Sequence, residues 1–337
     1  MLGRLACLLL LAMTVRGADD VAEYSTPDAD VPVPRPGAER SPTWQYSVVE
    51  GYFHQTSKST GHDSSHDYLD ESFGLLDTSK ERWTNLRKDL RRLNDESDGD
   101  TVFKVLFLGR HGQGWHNVAE QHYGSPEWNR YWSKVNTDGN MTWGPDAQLT
   151  PLGEDQARRV HRAWKRETLA NAPVPPVLYT SPLSRAASTC EITYGGLADS
   201  RPVFMEELRE TIGVHTCDKR HSKTWMSAHY PRFMFAEPFE EKDVLWSVNE
   251  RETDDQQDAR SRKALDHIFS HDSCTYVAIT AHGGTIASLL RVVQHRPVQT
   301  QTGSVTPVIV KARRAVRRPE RPIDNVGARQ TVFDSQS

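Results

Sequence analysis

The sequence predicts an α/β fold, a three-layer sandwich with a mostly parallel central sheet and helices on both faces. From residue 101 to 315, apolar runs typical of buried strands alternate with segments of helical periodicity. Three of these runs pass through a short polar turn directly into a helix, as parallel strands require. Functional side chains in such sheets collect where the strands end, so we expect a site at that edge.

The individual elements follow from local patterns. A helix is expected from about residue 80 to 93, because Trp83, Leu86 and Leu90 recur at helical spacing. The apolar run at 101–109 predicts the first strand of the sheet. The later elements are a helix near 117–122, a helix at 150–170, a strand at 174–182, a helix at 182–197, a short strand at 202–210, a helix at 261–271, a strand at 275–284, a helix at 284–293 and a strand at 305–314.

Both ends of the chain are predicted to lie outside this domain. Residues 1–18 combine a positive start with an apolar run of 11 residues, which is typical of a secretory signal peptide. Residues 19–45, rich in Pro and Asp, are expected to form a disordered or extended linker. We interpret 46–316 as a single α/β domain with an N-terminal arm and 317–337 as a flexible tail. The protein is therefore expected to be secreted.

Secretion affects how two other features are interpreted. Asn140 begins an Asn-Met-Thr glycosylation sequon in a polar loop, so we expect a glycan there. Cys190, Cys217 and Cys274 remain after signal removal, which allows one disulfide and one buried thiol, with the pairing open.

Charge and hydropathy exclude two classes of partner. The formal net charge is -4, without the basic excess that nucleic-acid binding favours. The leader's apolar run is shorter than the roughly 20 residues that span a bilayer, and no later segment is apolar enough. We expect neither nucleic acid nor a membrane span.

Basic side chains follow three of the predicted strands. Arg110 and His111 end the first, Arg185 lies in the turn and helix after the second, and His282 follows the strand at 275–284. Arginine forks match phosphate oxygens, and histidines supply a nucleophile or proton donors. Gly112, Gly283 and Gly284 allow a close approach of the backbone, and their N–H groups are expected to face the same anion. The set predicts a site for a phosphoryl group.

A metal site is the rival interpretation. His111 and His116 lie five apart, which does not match the spacing of paired histidines in helical zinc sites. The segment "HTCDKRH" (215–221) offers His215, Cys217 and His221, but a lysine and an arginine lie within it. We therefore expect no metal and no other cofactor.

Four segments in order, "RHGQGWHN", "LTPLGEDQA", "SPLSRAAST" and "AHGG", together resemble the histidine phosphatase superfamily in its phosphoglycerate-mutase-like branch. The lead-in "EGYFHQTSKSTGHD", followed by a Trp-bearing helix, resembles the fungal secreted members of that branch. The resemblance covers roughly residues 50 to 312. The chain departs from the common pattern at Gly109, Gln113 and Ala281, none of which removes a charged or nucleophilic group.

The resemblance implies roles for individual residues. His111 matches the catalytic nucleophile that becomes phosphohistidine, and His282 matches the second histidine, which holds the phosphoryl group in the transition state. Arg110 and Arg185 match the arginines that clamp the phosphate. Asn117 matches a phosphate-binding position in the pocket.

The proton donor to the leaving oxygen is the least determined role. Glu210 in "EELRE" matches the family position, but Glu207 is close enough to leave the assignment open. With either carboxyl group, the sequence predicts a metal-independent phosphomonoesterase acting on small phosphorylated substrates. The alternatives are a phosphoglycerate mutase-like phosphotransferase and a non-catalytic binder of phosphorylated ligands.

Overall fold

The computed structural model describes residues 44–56 and 66–315. The predicted signal peptide, the predicted tail and all but the last two residues of the predicted linker lie outside the described residues. Among the described residues, no helix is both long and apolar enough to cross a membrane.

The sheet has seven strands and is mostly parallel, as predicted. The strands are β1 (Trp44–Val48), β2 (Thr101–Arg110), β3 (Val177–Thr180), β4 (Val203–Phe204), β5 (Met234–Phe235), β6 (Tyr276–Ala281) and β7 (Val305–Arg314). They lie in the order β1-β7-β2-β6-β3-β4-β5. All neighbours from β2 to β5 are parallel, whereas β7 runs antiparallel to both β2 and β1.

The α-helices of the described chain cover this sheet or belong to two insertions. They are α1 (Arg82–Asp95), α2 (Trp115–Tyr123), α3 (Ser125–Arg130), α4 (Pro151–Thr168), α5 (Ser184–Tyr194), α6 (Lys223–His229), α7 (Asp254–His271) and α8 (Gly283–Val292). Both α2 and α3 belong to the first insertion, 115–146, and α6 to the second, 211–253.

Alternate side chains of β2 enter two separate cores. Leu106 and Leu108 pack in the cluster that contains α7 and α8, whereas Val105 and Phe107 pack in the cluster that contains α1, α4 and α5. Because successive side chains of a strand point to opposite faces, helices lie on both sides of the sheet. The predicted three-layer α/β sandwich is confirmed.

The register of the three central strands brings their ends together. Arg110, the last residue of β2, lies opposite Ala281, the last residue of β6. Thr180 at the end of β3 lies opposite Thr280. The residues that follow these strands therefore emerge side by side at one edge of the sheet.

The structure differs from the sequence prediction in several elements. The predicted strand at 202–210 is only Val203–Phe204 in the structure, because the chain forms a 3₁₀ helix at Glu206–Leu208 instead of continuing the strand. Strand β1 begins at Trp44, inside the predicted linker, and it pairs with β7. Its apolar residues Trp44, Tyr46 and Val48 alternate with polar ones over only five residues, a short strand signal that the prediction missed. Helix α7 begins at Asp254, seven residues before the prediction, because Thr253 and Gln256 form a capping box that starts it early.

The disulfide that the cysteine count allowed does not form among Cys190, Cys217 and Cys274. Cys190 on α5 lies in the core cluster that also contains α1 and α4, whereas Cys217 packs with Trp128 and Trp143 of the first insertion. All three thiols are buried and none is bridged, and Cys190 and Cys217 lie in different clusters, so the expectation of one bridge was wrong.

Candidate active site

His111 lies immediately after β2 and is almost completely buried. Its Nδ1 is 2.6 Å from the carbonyl oxygen of Gly112. A carbonyl oxygen only accepts hydrogen bonds, so Nδ1 carries the proton of the neutral ring and Nε2 carries the lone pair. Nε2 makes no hydrogen bond to a described residue, so this tautomer leaves a nucleophilic nitrogen available.

The glycine after His111 serves packing rather than anion binding. A Cβ at Gly112 would overlap the backbone of Gly153 in the first turn of α4, and a Cβ at Gly153 would overlap the backbone of Gln113. The N–H of Gly112 donates to Thr189 Oγ1 at 3.0 Å. The expectation that this N–H faces a bound anion was therefore wrong. The "LTPLG" segment acts as the support on which the catalytic turn rests.

The two predicted clamp arginines are only partly hydrogen-bonded, and Arg185 is completely buried whereas Arg110 is half-buried. Arg110 donates from Nη1 to the carbonyl oxygen of Thr300 at 2.7 Å. Arg185 donates from Nη1 to the carbonyl oxygen of Cys217 at 2.7 Å and from Nη2 to Asp218 Oδ1 at 2.8 Å. In both arginines Nε is buried and has no hydrogen-bond partner among the described residues. Each therefore keeps donor capacity for a ligand.

Ser181 orients His282, which lies at the start of α8. The hydroxyl oxygen of Ser181 accepts from Leu183 N at 3.2 Å and lies 2.7 Å from His282 Nε2. The hydroxyl hydrogen can donate to Nε2, and in the tautomer that an anionic ligand favours the ring proton is on Nδ1. Nδ1 is buried without a hydrogen-bond partner among the described residues, so it is a donor awaiting an acceptor.

The histidines at this edge form a close group. The ring centroid of His111 lies 5.0 Å from that of His282 and 5.4 Å from that of His116. The pKa of each of these three imidazoles is lowered well below its usual value, first by burial and next by the charge of Arg185. The neighbouring arginines keep these imidazoles neutral in the free protein, and a bound anion would offset the positive charge. This is the arrangement expected of an anion-binding site.

The carboxylate of Glu210 reaches the same edge. Its Oε2 accepts from Gly284 N at 3.3 Å, and its Oε1 accepts from Thr211 N at 2.9 Å. A Cβ at Gly284 would overlap Glu210, so the glycine gives the carboxylate its room. This corrects the expectation for Gly284, whose N–H contacts the carboxylate instead of being left for a ligand.

The other candidate proton donor lies toward α7. The backbone oxygen of Glu207 accepts from Arg260, and the charge of Glu207 acts on the imidazole of His267. The structure thus brings Glu210, and not Glu207, to the turn that holds His282.

Asn117 has a structural contact in the first turn of α2. Its Oδ1 accepts from Gly114 N at 3.0 Å and closes the helix start. The predicted contact with phosphate would therefore have to come from its Nδ2.

The "HTCDKRH" segment brings three possible metal ligands together. One ligand atom from each of His215, Cys217 and Asp218 lies within 4.8 Å of the others, and the second histidine of the segment is outside this group. Asp218 is already ion-paired with Arg185 at 2.8 Å and lies 3.6 Å from Arg251. Two guanidinium groups at the central carboxylate disfavour a divalent cation.

Sequence reasoning missed two acidic residues that support α5. Asp218 anchors Arg185, as described above. Asp146 is fully buried and accepts from Ser184 N at 2.8 Å and from Ser184 Oγ at 2.7 Å, at the start of the same helix. Burial raises the pKa of Asp146 to about 7. These partners are 33 and 38 residues apart in the chain, and no sequence pattern joins them.

The chain is similar in sequence to known proteins. A sequence profile described as "Histidine phosphatase superfamily (branch 1)" matches residues 106–309. The chain is 41% identical over 302 residues to a "Probable phosphoglycerate mutase" of Arthroderma benhamiae, covering 85% of this chain and 90% of that protein. It is 33% identical over 275 residues to a protein of the same description from Saccharomyces cerevisiae, covering 72% and 92%.

Solved structures include a phosphoglycerate mutase from Thermus thermophilus. It is 22% identical to this chain, with a TM-score of 0.34 over 63% of this chain and 99% of that one.

Proposed function

The chain belongs to the histidine phosphatase superfamily, and we propose that it hydrolyses small phosphomonoesters through a phosphohistidine formed on His111. The observation that carries this proposal is a set of buried donors without acceptors. Arg110 Nε, Arg185 Nε and His282 Nδ1 have no hydrogen-bond partner among the described residues, and all three side chains lie around His111. A buried polar group without a partner costs about 1–3 kcal/mol, so the site is arranged for a ligand rich in acceptor oxygens.

The first step is transfer of the phosphoryl group to the enzyme. The Nε2 lone pair of His111 attacks phosphorus while the ester P–O bond breaks. Arg110, Arg185 and His282 donate to the non-bridging oxygens, where charge is spread in the transition state. Glu210, in its protonated form, gives its proton to the departing alkoxide, so the alcohol leaves neutral.

The second step returns the enzyme to its starting state. Glu210, now ionised, takes a proton from water, whose oxygen attacks the phosphorus of phosphohistidine. The N–P bond breaks, its electrons return to Nε2 of His111, and inorganic phosphate leaves. Every group in this cycle is a side chain, so we propose that no metal is needed.

The pH dependence follows from the two groups that move electrons and protons. The pKa of His111 is lowered well below 6.5, first by burial and then by Arg185, so the ring stays neutral and nucleophilic in mildly acidic solution. Glu210 has to be protonated for the first step. We expect the activity to be highest on the acidic side of neutrality.

The test is hydrolysis of an aryl phosphate by the purified protein from about pH 4.5 to 7.5, the range around the ordinary pKa values of carboxyl and imidazole groups, with and without a metal chelator. Wild type is expected to turn over under both conditions, and His111→Ala is expected to lose essentially all turnover. An active His111→Ala variant would overturn the assigned nucleophile. A screen of sugar phosphates, inositol phosphates and phosphopeptides would then identify the preferred substrate.

A mutase is the second candidate, because the relatives from A. benhamiae and S. cerevisiae are described as probable phosphoglycerate mutases. The two activities differ in what attacks the phosphohistidine, which is water in a phosphatase and a second substrate hydroxyl in a mutase. Incubation with 3-phosphoglycerate separates them. Release of inorganic phosphate supports the phosphatase, and conversion to the 2-phosphate isomer without release supports the mutase.

A non-catalytic binder of phosphorylated ligands is the third candidate. Binding needs only the arginines, whereas the tautomer fixed on His111 and the carboxylate of Glu210 at the same edge are features that catalysis uses. A wild-type protein that binds phosphate tightly but turns over no phosphomonoester would favour the binder.

We also propose that the protein is secreted and glycosylated. The apolar leader in residues 1–18 supports export. The sequon supports glycosylation, because Asn140 and Thr142 are both exposed in a turn of the first insertion. Mass spectrometry of the protein recovered from culture medium, before and after removal of N-glycans, tests both statements.

A further inference from the structure

His116, in the first turn of α2, lies next to His111 and has no task in the catalytic cycle above. Its ring centroid lies 5.4 Å from that of His111, close to the 5.0 Å between His111 and His282. The nucleophile is thus in contact with two imidazoles, and only one of them has been given a role.

The chain keeps a space for this ring. A Cβ at Gly114 would lie 2.7 Å from Nδ1 and 2.8 Å from Cε1 of His116, so any larger residue at 114 would push the imidazole away. Gly114 begins α2, and the cap at this point is closed by Asn117. The helix start therefore fixes His116 in position without using either of its nitrogens.

The two ring nitrogens of His116 have different surroundings. Nδ1 is buried and has no hydrogen-bond partner among the described residues. His116 differs from His282 because no hydroxyl of a described residue lies at its Nε2 to donate a hydrogen bond. A proton on the buried Nδ1 would have no acceptor, so the neutral ring is more stable with its proton on Nε2. Nε2 makes no hydrogen bond within the described chain either, but unlike Nδ1 it is not buried. It is therefore accessible to a ligand.

The strongest charges that act on His116 are those of the phosphate site, and His215 of the second insertion acts more weakly. Besides burial, its pKa is lowered by Arg185, then by His111 and then by Arg110. An anion held by the two arginines is therefore also near this imidazole.

We propose that His116 is a third phosphoryl-binding imidazole, whose Nε2–H donates to a non-bridging oxygen of the phosphate that Arg110 and Arg185 hold. This inference depends on the proposed function, because it assigns a further contact to the same phosphoryl group. The competing interpretation is that the ring only packs against His111.

The experiment measures the inhibition constants of inorganic phosphate and orthovanadate for two replacements. His116→Phe keeps a planar ring and removes the donor, whereas His116→Gln places an amide N–H near the position of Nε2. We expect His116→Phe to weaken both anions by roughly 10- to 100-fold, the effect of losing one hydrogen bond to a charged group. His116→Gln is expected to recover most of that loss.

Two further variants separate the donor from general damage. His122→Phe changes an exposed histidine on the same helix and is expected to leave anion inhibition within about twofold of wild type. Gly114→Ala keeps the donor but displaces the ring, so it is expected to weaken anion binding although His116 is present. Circular dichroism and thermal unfolding show which variants are folded.

The outcomes distinguish this inference from the proposed function. If wild type turns over but folded His116→Phe binds both anions as wild type does, the third imidazole is refuted and the phosphatase stands. If His116→Phe does not fold, the inhibition constants of phosphate and orthovanadate for His116→Gln and Gly114→Ala test the proposal instead. The proposal fails if Gly114→Ala binds both anions as tightly as wild type. If wild type neither turns over nor becomes phosphorylated, the proposed function itself has failed.

Discussion

The arginines of two regions of this protein, the second insertion and the sheet edge, have opposite surroundings. Arg220 in the second insertion donates from all three nitrogens, to the Glu206 carboxylate and to carbonyl oxygens of the segment 240–242 among others, and it lies 4.5 Å above the ring of Phe239. Arg110 and Arg185 at the sheet edge each keep a buried Nε without a partner among the described residues.

Arg220 differs from the two arginines at the sheet edge in its hydrogen bonds. Arg209 also has a buried Nε without a partner among the described residues, so an unused donor indicates a ligand site only at the edge beside His111. A saturated arginine stabilises the fold and has nothing left for a ligand. An arginine with unused donors costs stability in the free protein and recovers it when an anion binds. The comparison predicts that the two groups respond to substitution in opposite ways.

The largest effect is expected from Arg110→Gln. This variant loses a clamp on the phosphoryl group, so kcat/KM is expected to fall about 10³-fold. The melting temperature is expected to stay near that of wild type, because the deleted group is partly unpaired. Steady-state hydrolysis and thermal unfolding of the same preparation measure both. A fall of many degrees in the melting temperature with little loss of kcat/KM would show that Arg110 is a structural arginine and contradict the comparison.

Arg220→Gln is the matched change in the other group. It leaves Glu206 and several carbonyl oxygens without their donor, and breaking a buried ion pair costs about 3–5 kcal/mol. The free energy of unfolding in urea is expected to fall by that amount. The folded fraction is expected to keep kcat within a few-fold of wild type, and loss of kcat without loss of stability would contradict this assignment.

A smaller loss of activity is expected when Asp218 is replaced. Asp218 contributes to the site indirectly, because it holds Arg185 by a buried ion pair. Asp218 contacts no substrate atom in the proposed cycle, so it is a positioning residue. Asp218→Ala is expected to lower kcat/KM about 100-fold, because a misplaced clamp costs on that order. Asp218→Asn keeps an oxygen acceptor and is expected to recover about tenfold of this loss. Equal activities in the two variants would argue against positioning.

The smallest expected effect is the pH dependence of stability. The lowered pKa values of His111, His116 and His282 mean that the unfolded chain binds more protons than the folded one below about pH 6.5. Stability is therefore expected to fall as the pH drops below about 6.5, by up to about 1.4 kcal/mol per pH unit for each group. Asp146, whose raised pKa of about 7 acts in the opposite direction below pH 7, reduces the slope.

Thermal unfolding between about pH 5 and 8, the range in which histidines titrate, measures this slope. Saturating phosphate is expected to flatten it, because a bound anion favours the protonated imidazoles. His122→Asn changes an exposed histidine and is expected to leave the slope unchanged. A slope that phosphate does not alter would mean that the three imidazoles do not face the anion.

The sequence was sufficient to predict the layers of the fold and the meeting of three strand ends. Long apolar runs with a polar residue at their end, such as the one before Arg110, carry that information because parallel strands end at one edge. Strand β5 has only two residues, and a strand that short has no periodicity to detect.

The partners of the site residues could not be predicted in the same way. Ser181 orients His282 from 101 residues away, and Asp218 holds Arg185 from 33 residues away. Such contacts are produced by tertiary packing and leave no local pattern. Gly112 shows the same limit, because its glycine is required by the backbone of Gly153 and not by a ligand.

The most direct test of the account is to locate the covalent intermediate. The protein is mixed rapidly with an aryl phosphate and denatured under alkaline conditions that preserve phosphohistidine. Its peptides are then analysed by mass spectrometry. The account predicts phosphate on His111 in wild type and no phosphorylated histidine in His111→Asn. Turnover without any phosphohistidine, or phosphate carried by another residue, would contradict it.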